Sequence, residues 1–250
     1  MRYNTSIVKK CQDYLRWKHK KQGLKGEEMS MKKEVMVDMT SGRIAPQILR
    51  FAMPVLLGLV FQRIYNFADS YIVGHFLGDN ALAAVSVAGV GMYLVFSLII
   101  GLTTGVTVVM SQYYGAKEED KVVKTFFSSI FIALGMTILV TVIGLLMTRP
   151  LLIVLQTPAE VLDAAVLYLR IICAGSVGTM LYNWISAVLR SLGNSVVPLI
   201  FLGISSLLNI VFDILFVAVI PMGVGGAAFA TVLAQIISGV ACLLYAWKIL

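Results

Sequence analysis

Residues 191–247 read SLGNSVVPLIFLGISSLLNIVFDILFVAVIPMGVGGAAFATVLAQIISGVACLLYAW, and the stretch carries a single charged side chain, Asp213. These 57 residues are long enough for two helical crossings of a bilayer, since one crossing takes about 20 apolar residues. The acid therefore falls inside a span. A carboxylate among lipid-length apolar helices costs about 2.5–3.5 kcal/mol even on mild insertion scales. A sequence that keeps one there commonly uses it to handle ions or protons. Asp69, in the first apolar segment, is a second isolated acid.

Working outward, the same rule predicts six spans. The first covers 46–76 and contains Pro54, Arg63 and Asp69. The second lies within 80–116, an uncharged stretch of 37 residues. The third runs 125–147 and is closed by Arg149-Pro150; the fourth runs 164–189 and ends near Arg190. The fifth, 196–219, is ended by Pro221, and the sixth is 224–247. The expected fold is all-α, a bundle of six transmembrane helices over 46–250 preceded by a basic tail over 1–45.

Composition agrees. Hydrophobic residues make up 59% and charged residues 13%, against about 25% charged in an ordinary soluble domain. Mean hydropathy is +0.89. Residues 1–45 hold 11 Lys/Arg and 5 Asp/Glu, a net +6 of the chain's +7. The basic excess thus belongs to a tail and reads as a positive-inside flank, not as a nucleic-acid surface. Within it, Ile7, Leu15 and Trp17 suggest a weak amphipathic helix at the membrane surface. Met29, Met31, Met36 and Met39 are alternative translation starts, and Gly26-Glu27-Glu28 fits a purine-rich ribosome site.

Charge also predicts orientation. Lys117, Lys121 and Lys124 follow the second span, Arg190 the fourth and Lys248 the sixth. The opposite side has only Arg149 in a loop. Both termini are therefore expected in the cytoplasm of a plasma membrane, in a bacterial setting.

Little else carries chemistry. Cys11, Cys173 and Cys242 are scattered and odd in number, and His19 and His75 are isolated, so no disulfide framework or metal-ligand spacing is present. There is no nucleophile elbow, His–Glu metal motif or phosphate loop. No enzymatic activity and no cofactor are expected.

The acids have polar company. Asn209 and Asp213 stand four apart, one turn apart on a helix face. The amide oxygen and the carboxylate can reach one small cation, or the amide can hydrogen-bond the protonated acid. Burial and a neighbouring acid both disfavour the ionised form of a carboxyl, so a pair in a wet cavity can load and release protons. Hard oxygen ligands suit Na⁺ equally. Asn66 stands three before Asp69, and Tyr65 and Gln62 add polar groups, so these three are candidates for lining a cavity. Arg63 lies six residues before Asp69, about 240° away around a helix, so the two should not pair within it. Pro54 should bend the first span and serve as a hinge. Gly101, Thr103, Thr104, Gly105 and Ser111 suggest close helix packing first and a pore lining second.

One echo is visible. Asp69 precedes Gly78 and Ala81-Leu82-Ala83-Ala84-Val85; Asp213 precedes Gly223 and Gly226-Ala227-Ala228-Phe229-Ala230. Each reads as an acidic span, a glycine turn and a helix start of small residues.

The order of these features resembles the first half of a transporter of the multidrug and toxic compound extrusion family. The resemblance rests on Phe51-Ala52-Met53-Pro54, on Asn66-Phe67-Ala68-Asp69-Ser70-Tyr71-Ile72-Val73-Gly74, and on Gln112-Tyr113-Tyr114-Gly115-Ala116. It continues through Leu189-Arg190-Ser191-Leu192-Gly193-Asn194 and Leu208-Asn209-Ile210-Val211-Phe212-Asp213 to the run from Gly223 to Gln235. It implies an efflux antiporter that exports cationic amphipathic compounds against inward Na⁺ or H⁺ flow. The cation site it implies matches Asp69, Asn209, Asp213 and Thr231, with Na⁺ as one occupant, and its bending proline matches Pro54. Twelve spans in two lobes are implied, whereas this chain has six. The expectation is therefore a truncated or split product, or a lobe that pairs with a second lobe or a second copy in the membrane lipid. A lipid-linked saccharide flippase of the same superfamily and a non-transporting fragment are the alternatives; two acids favour cationic cargo over the former.

Overall fold

The computed structural model describes residues 44–249. The basic tail lies outside the described residues, apart from its last two positions. So do the surface helix expected around Ile7, Leu15 and Trp17 and the alternative starts.

The described chain is helical nearly throughout. The elements are α1 (Ile44–Leu77), α2 (Asp79–Gly115), α3 (Glu119–Val154), α4 (Ala159–Ala174), α5 (Ser176–Ser191), α6 (Val196–Asp213) and α7 (Gly223–Ile249). After Asp213 the helix does not stop: Ile214–Val219 continue it with wider, π-type winding. Among the described residues there is no strand. Only helices satisfy every backbone group inside hydrocarbon without a closed barrel, which is why an apolar chain of this composition folds this way.

Five helices, counting α6 with its π extension, are long and apolar enough to cross a membrane. The pair α4–α5 passes the same test only together, bent by 50° between them. The chain is a multi-pass membrane protein. Its surface agrees: Ile138, Val154 and Leu207 stand 65%, 78% and 67% exposed. Water would penalise such a surface, whereas lipid chains match it.

Two predicted boundaries move. The fourth span is a broken rod, with Gly175 closing α4 and opening α5. A Cβ on Gly175 would run into the Val232 side chain, so α4–α5 bends where it packs against α7. The third span does not close at Arg149-Pro150. It runs through Pro150 to Val154, and Arg149 pairs with Asp163 of α4 at 3.0 Å instead of sitting in a loop. A proline so near a helix end frees one carbonyl within reach of interfacial water.

Of the small and polar residues of α2, Thr103 is buried as packing requires, but the others depart from expectation. Gly101, Thr104, Gly105 and Ser111 are exposed, and nothing lies within 4 Å of a Cβ placed on Gly101 or Gly105. They do not serve close packing within this lobe. Thr104 and Ser111 satisfy their hydroxyls on their own helix, through Ile100 O and Val108 O, the usual solution for a hydroxyl outside water.

Ile99, Leu169, Ile185 and Leu189 are fully buried and mark the core between α2, α4 and α5. Polar ties cross between helices, among them Trp184 Nε1 donating to Ser129 Oγ at 2.9 Å and Ser238 Oγ donating to Phe201 O at 2.6 Å. α1 packs chiefly against α6, and α6 against α7. This arrangement positions the site.

Candidate functional site

Asn209 and Asp213 lie one turn apart on α6, and both are buried, Asp213 at 0% exposure. The spacing puts them on one face, and that face meets α1 and α7. From α1, Asp69 enters the same region, also buried. The Asp69 and Asp213 carboxyl groups are close enough to feel each other's charge. From α7, Thr231 closes the group: its Oγ1 accepts from Asn209 Nδ2 at 3.2 Å and donates to Ala227 O, one turn back, at 3.2 Å.

The unsatisfied atoms define the chemistry. Asp69 Oδ1, Asn209 Oδ1 and both oxygens of Asp213 are buried and have no hydrogen-bond partner. All four are acceptors. A buried acceptor without a donor costs about 1–3 kcal/mol, and a charged one more. The cluster therefore calls for a positive occupant. One proton bridging the two carboxyls would supply a donor. A small hard cation would take the carboxylate and amide oxygens together, as oxygen-liganded cations do.

The four residues matched by sequence, Asp69, Asn209, Asp213 and Thr231, are thus brought together. The cavity-lining candidates are not. Gln62 and Asn66 are exposed on α1. Tyr65 is half-buried and close enough to both acids to feel their charge. Pro54 lies inside α1, which is one continuous helix through it; it stands 15 residues before Asp69, about 22 Å along the axis.

One residue escaped the sequence reading. Tyr168 of α4 is buried at 4% exposure, beside Thr231 and near both carboxyls. The available signal was a lone tyrosine within an apolar helix, whose hydroxyl needs a partner once buried. The π-type turn directly after Asp213 also went unread. Its wider winding brings Phe216 O against α7, where a Cβ on Gly226 would meet that oxygen at 2.7 Å.

Comparison with known proteins locates the chain. The probable multidrug resistance protein YpnP of Bacillus subtilis is 35% identical over 212 residues, covering 84% of this chain and 47% of that protein. The probable multidrug resistance protein NorM of Thermotoga maritima is 28% identical over 198 residues, covering 78% of this chain and 42% of that one. Among solved structures, a MOP-superfamily transporter from Pyrococcus furiosus, described by the reverse polarity of its binding pocket, aligns with a TM-score of 0.77 at 26% identity. That alignment covers 83% of this chain and 46% of the transporter. A crystal structure of MATE in the straight conformation aligns with a TM-score of 0.76 at 26% identity, again over 83% and 46%. The chain spans about half the length of the relatives it matches. The MatE family profile covers residues 54–215, from the proline inside α1 to just beyond Asp213; with the helical fold and the likeness to MATE structures, it establishes that this chain belongs to the MatE family of transporters.

Proposed function

We propose that the chain is the cation-handling lobe of a multidrug efflux antiporter. It exports cationic amphipathic compounds and is driven by inward Na⁺ or H⁺. The observation that carries this reading is the cluster of four partnerless acceptor oxygens on Asp69, Asn209 and Asp213. In a lipid-bound bundle such a cluster is stable only with a positive occupant, and an occupant that comes and goes couples its own gradient to the shape of the lobe.

Asp69 and Asp213 bind or exchange the coupling ion. Asn209 and Thr231 are neutral ligands, with Thr231 holding the amide so that its oxygen stays available. Occupancy relieves repulsion between α1 and α6; emptying restores it. Pro54 lets α1 bend as the contact changes. Transport needs a second wall. The lobe works in the plasma membrane of a bacterium, with both termini cytoplasmic, beside a second six-span lobe or a second copy. Alternating access follows from rocking the two about a midplane site.

Ethidium efflux from cells expressing the chain tests this, with and without an expressed partner lobe, against Asp213→Asn. Efflux by wild type and loss in the variant is the expected result. Equal efflux by both removes Asp213 from the mechanism.

A further inference from the structure

α1 leaves one of its sides uncovered. Its buried positions, Gly58, Asp69, Ile72 and Val73, fall on the side that meets α6. Arg63, Phe67, Tyr71 and His75 are all exposed on the other side. They recur at every fourth residue and so form one row along the helix. Phe67 and Tyr71 stand 75% and 63% exposed. His75 stacks on Tyr71 with ring centroids 5.8 Å apart and planes 6° apart. The row is a cation followed by an aromatic ladder.

Arg63 is out of place for a lipid-facing residue. At 1.5 Å per residue it stands about 20 Å from Arg50 and about 21 Å from Leu77, in the middle of the helix. Snorkelling serves arginines near helix ends. Exposed apolar side chains surround this one, Leu59, Val60 and Ile64 among them. Among the described residues Arg63 has no hydrogen bond and no ion pair. A guanidinium at this depth needs an anion brought to it. A second copy of this chain cannot bring one at the same depth: Asp69 and Asp213 are buried, and the other described acids sit within about two turns of helix ends.

We propose that Arg63, Phe67 and Tyr71 form a binding strip for an amphipathic organic anion. The carboxylate takes the Arg63 guanidinium, and the aromatic body lies along Phe67 and Tyr71, about 12 Å of helix surface. Arginine suits this task, since its planar fork bonds a carboxylate through two donors. The strip lies on the far side of α1 from the acid pair, so it adds an anionic class of cargo to the cationic one and stands or falls separately from it.

The test uses the purified chain in phosphatidylcholine nanodiscs, titrated with dansylglycine as the aromatic monocarboxylate and followed by dansyl fluorescence. Arg63→Gln is expected to weaken binding by about tenfold or more, the loss of one charge-assisted contact. Phe67→Ala weakens it by about threefold or more. Arg63→Lys keeps more of the affinity than Arg63→Gln. All variants should elute from size exclusion as wild type does, since the positions are exposed. Two results overturn the proposal. Equal binding by wild type and Arg63→Gln removes Arg63. Loss of the probe from wild type alone in discs containing phosphatidylglycerol assigns the site to lipid phosphate.

Discussion

Asn209 donates its amide hydrogen to Thr231 Oγ1 at 3.2 Å and leaves its own carbonyl oxygen buried without a partner. The bond runs from α6 to α7 and fixes which end of the amide stays free. Asp213 stands one turn further along α6 with both oxygens equally unpartnered. A side chain kept only for helix packing would spend its acceptor on a neighbour. Here the donor is used and the acceptor is held in reserve.

Thr231→Ala removes that anchor. The Asn209 amide then loses its fixed orientation, and its nitrogen becomes a buried donor without an acceptor. The apparent affinity for the coupling ion should fall by about tenfold, the worth of one well-placed hydrogen bond. Ion-dependent shifts in melting temperature, measured in detergent with NaCl against KCl and across pH, check this. Thr231→Ser should restore the wild-type shifts.

Asp213→Asn separates a site from a scaffold. Removing a buried charge that lacks a protein partner relieves desolvation and leaves helix packing alone. The variant should melt at or above the wild-type temperature while losing ion-dependent stabilisation. Marked destabilisation would mean that Asp213 serves the fold.

Tyr168→Phe keeps the ring and deletes a buried hydroxyl beside Thr231. The fold should tolerate it, because the ring fills the same volume. Ion-dependent stabilisation should weaken in the same direction as in Thr231→Ala. The two changes together should cost less than their sum, since the side chains are neighbours at one site.

Gly226→Val is the structural control. Its new Cβ would stand 2.7 Å from Phe216 O, a backbone atom that cannot rotate away. Overpacking of this kind costs about 1–3 kcal/mol. Loss of a monodisperse peak in fluorescence-detected size exclusion, before any transport assay, is the expected outcome.

The sequence was most legible where physics made it costly. Asp69 and Asp213 stood out because an ionisable group in an apolar span needs a reason, and Asn209 followed from its spacing. The helix count followed from the same lipid-length rule. Direction was less legible. Hydropathy reports how apolar a segment is, not whether its axis turns, so the bend at Gly175 left no trace in 164–189. Pro150 read as a stop because a proline usually ends a helix, yet so near the C-terminal end of α3 it removes little. Gly101 and Gly105 read as packing residues, although small side chains say only that something can come close. Tyr168 was hidden because its neighbour Thr231 comes from α7, a relation between distant segments that spacing does not encode.

Infrared difference spectroscopy of the purified chain on addition of acid or Na⁺ addresses the carboxyl pair itself, with Asp69→Asn and Asp213→Asn as partners in the comparison. Two acids that share one occupant respond as a unit, so the carboxyl signal of wild type should vanish or shift in each single variant, with the remaining acid no longer responding as before. Two independent signals, each surviving unchanged when the other acid is replaced, would contradict the account.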